Sequence, residues 1–109
     1  MSAIFGPGGN SKSFYDKGYK STVDAPKFVH EMGLDAYEYE AGNGVTASEA
    51  TFTKIGEAAR NYGIHITIHA PYYISLSSVE EEKRKKSADY IVSSAKALRF
   101  LGGELMVIH

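Results

Sequence analysis

Strand-like and helix-like periods alternate along this chain of 109 residues, and most junctions between them carry glycine. That alternation limits the possible folds more than any other property, because each helix then serves as the crossover between neighbouring parallel strands. The sharpest strand signal is residues 64–69. There Ile64, Ile66 and Ile68 share one face, while His65, Thr67 and His69 share the other. Pro71 lacks an N–H and cannot continue a central strand, so the ladder ends near Ala70 with His69 at its tip, ahead of Tyr72 and Tyr73. Residues 105–109 form a second apolar run that also ends in histidine, His109.

From the start, Ala3-Ile4-Phe5 reads as a first strand, followed by the turn-rich Gly6-Pro7-Gly8-Gly9-Asn10. A glycine loop after a strand can cradle phosphate through its N–H groups, but this one lacks the spacing of either phosphate-binding fingerprint, and a plain tight turn is favoured. Residues 11–22 show no period and read as a long loop. Asp24 as N-cap, Pro26 in the first turn and Gly33 after the end bracket a helix whose apolar stripe is Ala25, Phe28, Val29 and Met32. His30 lies off that stripe, facing solvent.

Ala36 to Glu40 alternates as a second strand. Thr46 and Glu49 have capping-box spacing ahead of the stripe Phe52, Ile55, Ala59 and Tyr62, which Gly63 closes. Ser78 and Glu81 repeat that spacing before a third helix. Its charged face pairs Glu80 with Arg84, Glu81 with Lys85 and Glu82 with Lys86, and its buried side is read as Ala88, Ile91, Val92, Ala95 and Leu98. Gly102-Gly103 ends it.

The order strand, helix, strand, helix, strand, helix, strand predicts an α/β fold with a parallel sheet. It leaves two architectures: a small doubly wound sheet, or part of a (β/α)8 TIM barrel. A whole barrel takes about 250 residues. The chain ends on its fourth strand, so the partial barrel is favoured, with residues 1–109 as a single domain forming the N-terminal half. At 43% hydrophobic residues the chain can bury one core. Its net charge of −1 announces neither a polyanion nor a membrane partner. The absence of cysteine excludes disulfides and thiolate metal sites, and with no signal pattern a cytoplasmic location is the default.

In a barrel, one side of each strand meets the helices and the other fills the interior. Parity then turns Glu38 and Glu40, Thr67 and His69, and Leu105, Val107 and His109 inward. His69, His109 and Glu40 collect at the C-terminal rim, where this fold keeps its chemistry. His65 has the same parity at the opposite end and reads as structural. Two neutral imidazoles on adjacent strand tips make half of a zinc site, and Glu40 could add a third ligand. A general-base histidine and a structural pair remain open alternatives.

These residues resemble a family. His69-Ala70-Pro71-Tyr72 followed by Ile74-Ser75-Leu76-Ser77-Ser78 is similar to the segment after the third strand of endonuclease IV, the zinc-dependent apurinic/apyrimidinic endonucleases. Val107-Ile108-His109 is similar to that family's fourth strand, and Gly33-Leu34-Asp35-Ala36-Tyr37-Glu38 suits the wider xylose-isomerase-like superfamily. The resemblance implies that His69 and His109 are ligands of a trinuclear zinc cluster, with no catalytic residue here beyond the metal ligands. It implies that Tyr72 stands on a loop contacting damaged double-stranded DNA, whose phosphodiester is hydrolysed 5′ to an abasic sugar. The family's other ligands come from later strands, so the 109 residues alone are expected to be inactive. The loop of residues 40–45 also lacks the Gln/Arg-bearing segment that bacterial members turn toward DNA. The alternative is a metal-dependent sugar isomerase or epimerase of the same superfamily, in which Glu38 and Glu40 carry more weight. A third, non-enzymatic reading is self-association through open sheet edges.

Overall fold

The structure, a computed structural model, describes residues 3–109. Helix α1 (Lys12–Asp16) and a 3-10 turn (Thr22–Asp24) lead into α2 (Ala25–Glu31), β1 (Ala36–Glu40), α3 (Glu49–Tyr62), β2 (His65–His69), α4 (Glu81–Leu101) and β3 (Leu105–Val107). The strands form one parallel sheet in the order β1-β2-β3. In register, Glu38 pairs with Thr67 and Glu40 with His69, while Thr67 pairs with Leu105 and His69 with Val107.

The isoleucine face of β2 is the buried one, as its alternation predicts. Ile64, Ile66 and Ile68 join Tyr37, Phe52, Ile55, Leu98 and Leu101 in the core between sheet and helices. Val29 and Phe28 of α2, Ile55 of α3 and Leu98 of α4 all enter this same core, so the helices cover one face of the sheet only. Coverage of one face is the barrel arrangement; a doubly wound sheet would carry helices on both.

Four local expectations are corrected. Ala3-Ile4-Phe5 does not form a strand. The Phe5 carbonyl accepts from the N–H groups of Asp35 and Ala36, that of Pro7 accepts from Glu38, and the Gly9 N–H donates to the Glu38 carbonyl. Only Gly8 makes a parallel bridge, to Glu38. Pro7 cannot donate and Gly9 sits at φ 77°, so this segment follows the edge of β1 without strand geometry.

Residues 11–22 are not one loop, because aromatic packing orders them. Ser11 caps α1 by accepting from the Phe14 N–H, and the buried Phe14 ring stacks on Tyr19 at 5.3 Å and meets Phe28 edge-on at 5.4 Å.

Helix starts are displaced too. Ser48 caps α3 in place of Thr46, accepting from the Thr51 N–H at 3.2 Å. Glu80 stands at the N-cap of α4 while the Ser78 hydroxyl accepts from the Glu80 N–H. Arg84 accordingly donates to the Ser78 carbonyl, leaving Glu80 to pair with Lys83 at 3.5 Å. The pairs Glu81 with Lys85 and Glu82 with Lys86 form as read. Gly63 at φ 68° and Gly102 at φ 74° terminate α3 and α4, as expected.

The buried face of α4 is the largest correction. It runs through Ser87, Ser94, Ala97, Leu98 and Leu101, while Ala88, Val92 and Ala95 are exposed. Two serines can face the core because their hydroxyls are satisfied: Ser87 Oγ accepts from the Ser75 N–H and Ser94 Oγ donates to the Tyr90 carbonyl, both at 2.8 Å. Met32 of the α2 stripe is likewise exposed. Among the described residues no helix is long and apolar enough to cross a membrane.

Candidate metal centre

The open face of the sheet carries the inward-parity residues. Glu38, Thr67 and Leu105 make one layer across it, and Glu40, His69 and Val107 the next toward the C-terminal rim. His109 follows two residues beyond Val107. Its ring meets that of His69 with centroids 4.7 Å apart and planes inclined by 60°. The two histidines read from the sequence are therefore neighbours at the tips of adjacent strands.

The backbone orients His69. Pro71 ends the strand, and the Ala70 carbonyl receives a hydrogen bond from His69 Nδ1 at 2.8 Å. In the neutral ring that bond keeps the hydrogen on Nδ1 and leaves the Nε2 lone pair for a metal. A resident zinc would find two nitrogen ligands of fitting chemistry here, one of them oriented by an outer hydrogen bond. Glu40 does not complete the set: among the described residues no group of three or more His, Cys, Asp or Glu side chains could hold a metal ion.

Glu38 and Glu40 lie on the same side of β1, Glu40 level with His69 and Glu38 one layer below. Thr67 Oγ1 donates to Glu38 Oε2 at 3.2 Å. Glu40 reaches solvent, yet partial burial of its carboxyl raises its pKa above the usual 4.5. The neighbouring Glu38 adds to the rise by hydrogen bonding and by charge, and His69 opposes it. The glycine loop lies against this pair: a Cβ on Gly8 would stand 2.7 Å from Glu40 Oε1, and one on Gly9 would stand 3.1 Å from Glu40 Cγ. Its glycines admit a carboxylate instead of cradling a phosphate. A glycine pair facing a strand of inward glutamates was the signal in the sequence, read there as turn chemistry alone.

Tyr72 stands beyond the histidines with 67% of its surface exposed, held at its own N–H by the Gly42 carbonyl. Tyr73 meets it edge-on at 5.5 Å and meets Tyr90 of α4 edge-on at 4.8 Å. His65 is exposed at the opposite end of β2 and takes no part.

Parallel strands in sequential order, with helices on one face and polar side chains at the C-terminal rim, define a segment of a (β/α)8 barrel. The chain belongs to the xylose isomerase-like TIM barrel family, which it matches over residues 26–109. It is 33% identical over 103 residues to an uncharacterized protein of Methanocaldococcus jannaschii, covering 94% of this chain and 35% of that one. Among solved structures it is similar to a D-psicose 3-epimerase determined in the presence of D-fructose, with TM-score 0.69 and 19% identity over 80% of this chain. It is equally similar to the D-psicose 3-epimerase of Clostridium cellulolyticum H10 with D-tagatose, with TM-score 0.69 and 21% identity over 81% of this chain. At those identities the likeness is one of fold. The chain spans 31% of each epimerase, so it corresponds to about a third of the relatives it matches.

Proposed function

We propose that these residues form the first part of a zinc-dependent phosphodiesterase of the endonuclease IV type, acting on damaged double-stranded DNA. The observation that carries the reading is the pair of imidazoles 4.7 Å apart, with His69 Nε2 free and the exposed Tyr72 three residues beyond His69 on the same rim. His69 and His109 would hold zinc, which when bound supplies Lewis acidity toward a phosphate and its leaving oxygen. In this chain the Ala70 carbonyl keeps the His69 ring turned toward the centre, and Glu40 adds negative charge beside it. Tyr72 would fill the stacking space left by a lost base. The remaining ligands would come from later strands of the barrel.

A second reading, a metal-dependent sugar epimerase or isomerase, is favoured by one observation. Partial burial, aided by the neighbouring Glu38, raises the Glu40 pKa, as suits a carboxyl that moves protons.

The test titrates Zn2+ into the chain and then offers it an abasic-site duplex, an intact duplex and D-fructose. The proposal expects zinc binding that is lost in His69→Ala and in His109→Ala, a preference for the abasic duplex, and at least a tenfold loss of that preference in Tyr72→Ala. Ketose binding without duplex preference would replace it with the second reading. Zinc binding unchanged in the double alanine variant would end the first reading. Measurable cleavage of abasic DNA by the 109-residue chain would refute the dependence on later strands.

A further inference from the structure

Where the loops that follow β1 and β2 meet α4 lies a cleft of about 270 Å³. The β1–α3 loop contributes Asn43, Val45 and Thr46, the β2–α4 loop contributes Pro71 and Tyr73, and α4 contributes Tyr90 and Ser93. The cleft is built by packing. Gly44 takes φ 115°, and a Cβ there would come within 3.0 Å of the Tyr73 hydroxyl, so the loop bends through glycine to leave that ring standing. Tyr73 and Tyr90 then form two aromatic walls inclined at 79°. Tyr72 joins Tyr73 edge-on, which links the cleft to the rim by an unbroken run of rings.

The polar groups define the ligand. The Asn43 carboxamide and the hydroxyls of Thr46 and Ser93 offer both donors and acceptors. None of the three side chains has a hydrogen-bond partner among the described residues. No charged side chain lines the cleft, which argues against a phosphate or carboxylate. Its volume lies just below the ~300–1,000 Å³ of sites for drug-sized molecules, and so suits one small ring system. A flat, uncharged ring with donors and acceptors along its edge, stacking on tyrosine, is a nucleobase.

We propose that this cleft is a nucleobase subsite, taking a base next to the one Tyr72 would replace. The assignment rests on the DNA reading of the rim, while the binding it describes requires neither zinc nor an abasic site.

The test titrates thymidine and 2′-deoxyadenosine, with 2-deoxyribose as the base-free control, into the chain without metal. Amide chemical shifts and tyrosine fluorescence report binding. Both nucleosides are expected to shift amides of residues 43–46 and 90–93, and 2-deoxyribose to leave them unmoved. Ser93→Phe places bulk in the cleft from an exposed helix position and should weaken binding at least tenfold. Tyr90→Phe keeps the ring and should stay within twofold, and His69→Ala should change nothing. Equal shifts from 2-deoxyribose, or full binding in Ser93→Phe, would overturn the proposal. Nucleoside binding that survives alongside a failed abasic-duplex preference would reject the repair reading and keep the subsite.

Discussion

Gly8 and Glu40 share a space that only one side chain can use: a Cβ on the glycine would stand 2.7 Å from Oε1 of the glutamate. The obstacle is the far end of a flexible side chain, and Gly8 does not sit at positive φ. Gly8→Ala should therefore fold with stability within about 1 kcal/mol of the parent, since reduced unfolded-state entropy offsets a small rearrangement. The change should appear at Glu40. Swung away from its partly buried place near Glu38, its carboxyl should titrate closer to 4.5, which side-chain carboxyl 13C NMR would follow. Gly6→Ala is the contrasting case, because its Cβ would fall onto the Ala36 carbonyl, main chain that cannot yield without disturbing β1. It should cost about 2 kcal/mol or more in urea unfolding. Equal costs for the two variants would contradict this account.

Gly56 sets two effects against each other. Replacing a glycine inside a helix by alanine ordinarily stabilises by about 0.5–1 kcal/mol. Here the new Cβ would stand 2.6 Å from the Phe100 carbonyl oxygen and 3.0 Å from Leu101, where α3 crosses the end of α4. Overpacking of about 1–3 kcal/mol wins. Gly56→Ala should lower the urea midpoint, and a rise would mean that the helices separate at little cost.

The two buried serines of α4 should respond differently to alanine. Ser87→Ala leaves the Ser75 N–H without its 2.8 Å acceptor, a loss of about 1 kcal/mol at this partly solvated site. Ser94→Ala removes only a bond to the helix's own Tyr90 carbonyl, and alanine is the better helix former, so stability should hold or rise slightly. Thermal melts of the pair decide the matter, and an equal loss in both would refute it.

Tyr19 donates a hydrogen bond to Glu31. That bond is the main cause holding the Glu31 carboxyl below its usual 4.5, with Lys17, Lys27 and His30 assisting, and it raises the Tyr19 phenol to about 12. Stability from the lowered carboxyl is complete above pH 4.5 and lost as pH falls through its folded value. Stability from the raised phenol is complete below pH 10 and lost as pH climbs toward 12. The Tyr19 ring is half-buried but its bond to Glu31 lies at the exposed surface, so the effects should be small and weakened by salt. Glu31→Gln should flatten the acid limb of the melting profile, and Tyr19→Phe should remove one phenol from the ultraviolet titration near pH 12. An unchanged titration in Tyr19→Phe would discount the bond.

Features set by period and parity were legible in the chain. Strict alternation places Ile64, Ile66 and Ile68 toward the helices, and the same arithmetic brings His69 and His109 to one rim. Features set by satisfied polarity or by backbone approach were not. Ser87 and Ser94 look like surface residues until their partners are known, so an apolar reading of α4 selects the exposed Ala88, Val92 and Ala95. The first segment looks like a strand because Ile4 and Phe5 are apolar, whereas its path follows from Pro7 and the glycines beside it. Glu40 has the correct parity for the rim, yet parity says nothing of reach, and among the described residues no three-ligand group forms with the histidines.

The oxygen that orients His69 belongs to the main chain at Ala70, where the strand halts before Pro71. No replacement of the side chain at position 70 deletes it. How the imidazole faces its centre is thus inherited from the route of the chain, while what surrounds it is written in separate, exchangeable side chains such as Tyr72. Substrate preference at this rim is therefore free to drift while the presentation of the ring stays put.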